Sequence, residues 1–163
     1  MAIRKVHAFA VGAPEPHDAG NVRCVTLVRI ESHDGAVGWG EAISLHRHTS
    51  LATKVFIEEG FAPLLIDQDP CNTRALWHMM RRHSYRYGPE GIVGFAISAI
   101  DMALWDLKGQ ILGTPVATLI GGALRSSVPA MASIHFDMDD LDWTLSEFAG
   151  FCDDGYEIVK AGW

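Results

Sequence analysis

Three groups of side chains in this sequence have the types and spacing to do chemistry. The first is carried by two polar loops, Gly12-Ala-Pro-Glu-Pro-His-Asp-Ala-Gly-Asn21 and Ile43-Ser-Leu-His-Arg-His-Thr49, which offer His17 from one and His46, Arg47 and His48 from the other. Arg47 presents a planar fork of donors that suits a carboxylate. Loops on a rigid scaffold hold a disproportionate share of binding residues, and the plainer alternative is that all four are simply solvated. His46 and His48 also have the look of a metal-binding pair, but no third ligand stands near them in sequence, so no metal site is assigned. The second group is acidic: Glu41, in Gly38-Trp-Gly-Glu-Ala42 at a strand end, and Asp101, in a long apolar run. The third is Lys160, which shares one face of an extended segment with Ile158 and Gly162. Taken alone, such a lysine reads as a surface residue.

The elements that would position these groups follow from patterning. Ile3 to Val11 and Val22 to Ser32 have the β-branched and aromatic content of strands, and His33-Asp34-Gly35 is a turn into Val37-Gly-Trp-Gly40. This predicts a three-stranded antiparallel meander, in which Gly40 allows close backbone approach and Trp39 belongs to the core. Helical patterns follow at Ser50 to Glu59, Asn72 to His83 and Ile92 to Leu112. Strands first and helices after them define an α+β domain. Within the last helix, Ser98, Asp101, Trp105 and Lys108 fall along one side. The rest is mostly Ile, Ala, Met and Leu, so the helix is buried between layers and the Asp101 carboxylate requires a partner. Gly113 supplies a left-handed stop, with Pro115 just beyond.

Read as words, Ser98-Ala-Ile-Asp-Met-Ala-Leu-Trp-Asp-Leu-Lys-Gly109, then Pro115, then Leu119-Ile-Gly-Gly122, with Gly38-Trp-Gly-Glu-Ala42 before them and Lys160 after, resemble the mandelate racemase and muconate-lactonizing group of the enolase superfamily. Gln110 stands where the group usually has Lys. The resemblance implies an N-terminal capping domain over residues 1–122 and the start of a (β/α) barrel of TIM type over 123–163. Within the latter it implies a first strand at Ser127 to Ser133, a helix at Asp140 to Asp154 with Leu141, Leu145, Phe148 and Cys152 on its apolar face, and a second strand at Tyr156 to Ala161. A barrel takes about 250 residues, so the expectation is a chain that stops a quarter of the way round.

The same resemblance implies chemistry. The two polar loops would fold over the barrel mouth, making His17, His46, Arg47 and His48 candidates for substrate binding. Lys160 would point inward near that mouth, desolvated and aimed at an anionic oxygen. Relatives carry Lys-x-Lys there, and this sequence has Lys160-Ala161-Gly162. Loss of the second lysine removes a two-base racemase arrangement. It leaves Lys160 as the catalytic candidate, an electrostatic support for a base elsewhere. The expected activity is abstraction of a proton alpha to a carboxylate, with dehydration of an acid sugar preferred over racemisation, epimerisation or cycloisomerisation. The cofactor expected for such enzymes is Mg²⁺. Its acidic ligands belong to later barrel strands, so this chain supplies none and is expected to be inactive alone. Asp137, Asp139, Asp140 and Asp142 read as helix-capping and first-turn acids instead.

Composition narrows the classes. Hydrophobic residues are 48% and charged ones 20% of the 163, ordinary for a packed domain. A net charge of −7 disfavours nucleic acid and anionic membranes while leaving room for a small anionic substrate. The basic and aromatic cluster Arg74, Arg81, Arg82, His83, Tyr85, Arg86 and Tyr87 is accordingly read as a solvated face. Cys24, Cys71 and Cys152 are odd in number and far apart, which fits free thiols in a cytoplasmic protein. No run reaches the roughly 18 apolar residues of a membrane span, and no signal peptide is read at the start. A small carboxylate is the expected partner, and the family resemblance adds a homo-oligomer. A reading of another class, a non-catalytic capping module that binds a partner, would leave the segment after Ser127 exposed.

Overall fold

The computed structural model describes residues 1–15, 21–135 and 139–162. The chain divides into two compact units, one built from residues 1–13 and 22–122 and one holding the chain from Ala123 onward.

In the first unit β1 (Ile3–Pro14), β2 (Val22–Ser32) and β3 (Val37–Leu45) form the antiparallel meander in the order β1-β2-β3. The turn after β2 is closed by the Ser32 amide on the Ala36 carbonyl at 2.9 Å, with Gly35 at φ 85°. Pairing carries two strands further than patterning predicts. β1 runs to Pro14, and the Glu15 amide donates to the Asn21 carbonyl at 2.8 Å. β3 continues through Leu45 because Ile43 and Leu45 still face Val25 and Cys24 across the ladder.

One face of the sheet is buried. Cys24, Thr26, Val28, Ile30 and Ser32 alternate inward along β2, as the two-residue strand period requires. On β3 the inward positions are Gly38, Gly40, Ala42 and Ser44. A methyl group at Gly40 would overlap the Ala99 carbonyl, and one at Gly38 would overlap the backbone of Ala103 and Leu107. The meander therefore meets α4 (Ile92–Leu112) backbone to backbone. That helix runs 21 residues and buries Ile100, Ala103, Leu104 and Leu107 completely. Gly113, at φ 59° and ψ 33°, ends it in the left-handed conformation expected.

In sequence, β3 and α4 are joined by α1 (Arg47–Val55), a six-residue π turn at Phe56–Phe61, α2 (Ala62–Leu65) and α3 (Thr73–His83). The helix expected over Ser50 to Glu59 thus starts earlier and widens. Pro63 in the first turn of α2 has no amide hydrogen to give to the preceding turn, and the ladder loosens just ahead of it. A short α5 (Val116–Leu119) leads to the glycine pair at 121 and 122.

The second unit contains β4 (Ala132–His135), α6 (Leu141–Asp153) and β5 (Val159–Gly162), with β4 parallel to β5. A parallel pair joined through a helix is the start of a barrel. The strand expected from Ser127 begins later, at Ala132, where the Ala132 amide finds the Ile158 carbonyl at 3.0 Å. Before that point no ladder partner exists among the described residues, and Pro129 has no amide hydrogen. β5 likewise starts at Val159 instead of Tyr156. Asp140 caps α6, its carboxylate accepting from the Trp143 amide at 2.8 Å, while Asp137 lies outside the described residues. The helix is turned from its expected face. Thr144 is buried whereas Leu141 and Leu145 are 50% and 63% exposed and Cys152 is exposed. Two narrow strands cover one stripe of a helix, and the Thr144 hydroxyl, bonded to the Asp140 carbonyl at 3.1 Å, lies in it.

Candidate substrate-facing sites

The end of β3 and the start of α1 form a tight turn instead of the loop expected over 43–49. Leu45 is the pivot, a non-glycine residue at φ 53° whose side chain is 52% exposed. This left-handed conformation is uncommon for a branched aliphatic side chain. His46 follows in extended conformation at the N-cap of α1, with no side-chain cap bond. Arg47 and His48 occupy the first turn. The two imidazoles stack, with ring centroids 5.5 Å apart and planes 16° from parallel, and the Arg47 side chain is exposed beside them. The sequence thus offers a guanidinium and two imidazoles from consecutive positions on a short turn. Groups of this kind hold a carboxylate or a hydroxylated anion. His17 lies outside the described residues.

Beneath this turn is a group of hydroxyls that patterning alone did not single out. Thr26, Ser44 and Ser50 are 0%, 4% and 1% exposed. The Thr26 hydroxyl lies 3.2 Å from that of Ser44 and 2.9 Å from that of Ser50, and donates to the Ser50 carbonyl at 3.1 Å. Ser50 donates to the Val25 carbonyl at 2.9 Å. The available signal was their parity: Thr26 and Ser44 occupy inward strand positions where an aliphatic residue would be usual.

Lys160 belongs to the second unit. It sits on β5 opposite Ser133 of β4, and both are exposed while Ala132 and Ile134 on the other face are 6% and 3% exposed. The expected desolvation of Lys160 is therefore not met by the described residues, since β4 alone flanks its strand among them. The shared face with Gly162 is present: a methyl group there would lie 3.8 Å from Lys160 Cε. An open cleft of about 490 Å³ lies at the opposite end of these strands, lined by Val128, Pro129, Gly155 and Tyr156 among others. It precedes both strands, so it is separate from the end that carries Lys160.

The remaining candidates have structural surroundings. Trp39 is not a core residue. With Gly38 and Gly40 against α4, alternation turns its ring to the outer face, where it is 47% exposed and lies 6.0 Å from the ring of Phe9. Glu41 is exposed on that same face. The Trp39 amide donates to Asp106 at 2.8 Å, and Gln110 donates to the other oxygen of that carboxylate at 3.2 Å. Asp101 has no hydrogen-bond or ion-pair partner among the described residues, contrary to expectation. It is only half-buried, and burial pushes its carboxyl above the usual carboxylate range. In the basic and aromatic cluster, Arg81 lies over the Trp77 ring at 5.2 Å and Tyr85 is 80% exposed.

Glu58, on the π turn, was not anticipated. Its carboxylate accepts from the Ala8 amide at 3.0 Å and pairs with His7 at 2.7 Å and Lys54 at 3.3 Å. Among the described residues no group of three or more His, Cys, Asp or Glu side chains could hold a metal ion.

The profile of the mandelate racemase / muconate lactonizing enzyme N-terminal domain matches residues 13–121. The chain is 37% identical over 141 residues to D-galactarolactone cycloisomerase of Agrobacterium fabrum, covering 85% of this chain and 36% of that protein. It is 44% identical over 137 residues to a D-galactonate dehydratase family member of Pseudarthrobacter chlorophenolicus, covering 83% and 32%. In three dimensions it superposes on a mandelate racemase/muconate lactonizing protein of Paracoccus denitrificans complexed with magnesium, with a TM-score of 0.85 and 34% identity over 99% of this chain and 42% of that one. The chain spans about a third of the length of these curated relatives.

Proposed function

Because the chain belongs to the mandelate racemase/muconate lactonizing enzyme family, we propose that it is the N-terminal part of a Mg²⁺-dependent enolase-superfamily enzyme that dehydrates an acid sugar. Residues 1–122 act as the capping domain, and the segment from Ala123 begins the barrel. The observation that carries the reading is the parallel β4–α6–β5 unit with Lys160 beside Gly162. One lysine, with no second on its face, suits a reaction that needs a base on one side only.

In this reaction a base outside the described residues takes the proton alpha to the carboxylate. Hydroxide then leaves from the beta carbon, the enol returns to a ketone, and the net change is loss of one water. Lys160 stabilises the oxygen on which charge develops, which requires the remaining strands to enclose it. His46, Arg47 and His48, with His17, bind the polar body of the substrate. Mg²⁺ is assigned to parts of the enzyme beyond this chain. A homo-oligomer in the cytoplasm completes the proposal; among the described residues no helix is long and apolar enough to cross a membrane. Cycloisomerisation is the second reading, favoured by the 37% identity to a galactarolactone cycloisomerase.

The intact mass of the purified protein and a Mg²⁺-supplemented panel of aldonic and aldaric acids test this together. A polypeptide near 17.8 kDa should give no turnover. A larger polypeptide containing these residues should release a keto acid from at least one aldonate, and should lose that activity on Lys160→Met. Mg²⁺-dependent turnover by the 17.8 kDa chain, or full activity of the Lys160→Met enzyme, would overturn the assignment.

A further inference from the structure

We propose that Thr26, Ser44 and Ser50 are positioning residues, a buried hydroxyl clamp that fixes the orientation of the His46-Arg47-His48 turn. The claim rests on the reading of that turn as substrate-facing and identifies what holds it.

The turn is short and bounded by the clamp on both sides. Ser44 is the last inward residue of β3 before Leu45, and Ser50 follows Thr49 within the first turns of α1. Both hydroxyls reach Thr26 in the adjacent strand β2, at 3.2 Å and 2.9 Å. The entry to the turn and its exit are thereby tied to one point on a central strand. Three hydroxyls have three protons to give. Ser50 spends its own on the Val25 carbonyl and Thr26 spends its own on the Ser50 carbonyl. Sharing the Thr26 proton between the carbonyl and hydroxyl oxygens of Ser50 accounts for the 2.9 Å contact as well, and leaves Ser44 to donate to Thr26.

Direction is what an aliphatic contact would not supply. Buried hydroxyls cost free energy unless bonded, and among the described residues no buried side-chain nitrogen or oxygen lacks a partner. Inside the turn the chain needs an external constraint. Leu45 holds φ 53°, a conformation that persists in a non-glycine residue only when its surroundings over-determine it. The His46 amide turns back to the Ser44 carbonyl and the Ser50 amide bonds the His46 carbonyl at 3.1 Å. His46 has no cap bond of its own. The parallel imidazoles at 5.5 Å are therefore held by backbone geometry that Thr26, Ser44 and Ser50 set.

The test is proton NMR of the chain in Thr26→Val, which keeps the volume and removes the hydroxyl, with Thr26→Ser as the conservative rescue. The Ile100 and Leu104 methyl signals report the core. The expected result is unchanged core methyls in both variants, loss in Thr26→Val of the ring-current displacement that His46 and His48 impose on each other, and its return in Thr26→Ser. Unchanged imidazole signals in a folded Thr26→Val protein would overturn the proposal. Should Thr26→Val fail to fold, Ser44→Ala is read the same way, since it removes one of the bonds to Thr26. Titration with galactonate of the larger polypeptide that contains these residues separates the two claims. Galactonate that shifts the imidazoles of the wild type and not those of Thr26→Val supports both. Galactonate that shifts neither defeats the substrate reading of the turn, while the ring signals still decide the clamp.

Discussion

The two units of this chain solve the same problem to different degrees. In the first, a one-sided sheet lays its glycine face on α4 so closely that backbone touches backbone, and Phe61, Ile57, Leu65 and Met80 are fully buried around that contact. In the second, Leu124 is 100% exposed, Val128 73% and Leu145 63%, and among its described residues only Ala132 and Ile134 are buried aliphatic side chains. Parallel strands are ordinarily covered on both faces. Here a pair of four-residue parallel strands is covered by α6 on one face, and the Ser133 and Lys160 face is open. The first unit is a finished core, and the second has the chemistry of an unfinished one. Lys160 can only acquire the environment its proposed role needs when further strands close around it.

The sharpest way to break that contrast is to add one methyl group to each unit. Gly40→Ala places a carbon into the Ala99 carbonyl, which neither backbone can yield, so the loss should reach at least the roughly 3 kcal/mol at the top of the overpacking range. Gly150→Ala in α6 meets nothing within 4 Å and should instead stabilise the helix by about 0.5–1 kcal/mol. Urea denaturation followed by circular dichroism reads both, and equal responses would erase the distinction. A gentler pair removes methylene groups. Ile100→Val, at a position of zero exposure, should cost about 1 kcal/mol. Leu145→Ala removes more carbon from a 63% exposed side chain and should stay within about 0.5 kcal/mol of the parent.

A third test concerns how the first unit handles charge. Burial alone would raise the Glu58 carboxyl, but the Ala8 amide, Lys54 and His7 outweigh it and hold the group below its ordinary value of 4.5. A depressed folded value means that its contribution is fully present above pH 4.5 and is lost as pH falls through the folded value. Partly exposed ion pairs contribute up to about 1 kcal/mol. Glu58→Gln should therefore lower the urea midpoint at pH 7 and flatten its fall below pH 4.5. An unchanged acid limb would show that the network contributes nothing.

What the sequence makes legible follows the same division. Long periodic elements with one dominant partner are readable: β2 alternates over its whole length, and α4 ends at Gly113 as its residues require. Features that depend on a partner elsewhere are not. The face of α6 turns on how wide a sheet lies under it, and the start of β4 on where β5 offers a carbonyl. The widening at Phe56–Phe61 needed the consequence of Pro63 to be followed one turn back. Trp39 was within reach, since glycines at 38 and 40 could only mean that the intervening side chain faces away from the helix. At the candidate site, His46, Arg47 and His48 were visible as residue types, whereas their stacking depends on Leu45 and on hydroxyls contributed by three separate elements.

The smallest effect is also the one that separates a partnered carboxylate from an unpartnered one within a single unit. Asp101 has neither hydrogen bond nor cation among the described residues, and burial raises its carboxyl above the ordinary 3.8. The sign is opposite to that of Glu58: the ionised form is disfavoured in the folded chain, so Asp101 weakens folding above its folded value, and the cost is relieved as pH falls through that value toward 3.8. Asp101→Asn, which removes the charge at nearly constant volume, should raise the urea midpoint slightly at pH 7, and the gain should shrink as pH falls toward 3.8 and vanish only well below it, where the wild-type carboxyl is protonated in both states. Solvent screening at this half-exposed site keeps the gain small. Because the relief at Asp101 and the loss at Glu58 share an acid window, a wild-type profile understates both. The measurement that isolates Asp101 is the substitution made in a Glu58→Gln background, where a midpoint that does not rise at pH 7 would mean that the carboxylate is solvated after all.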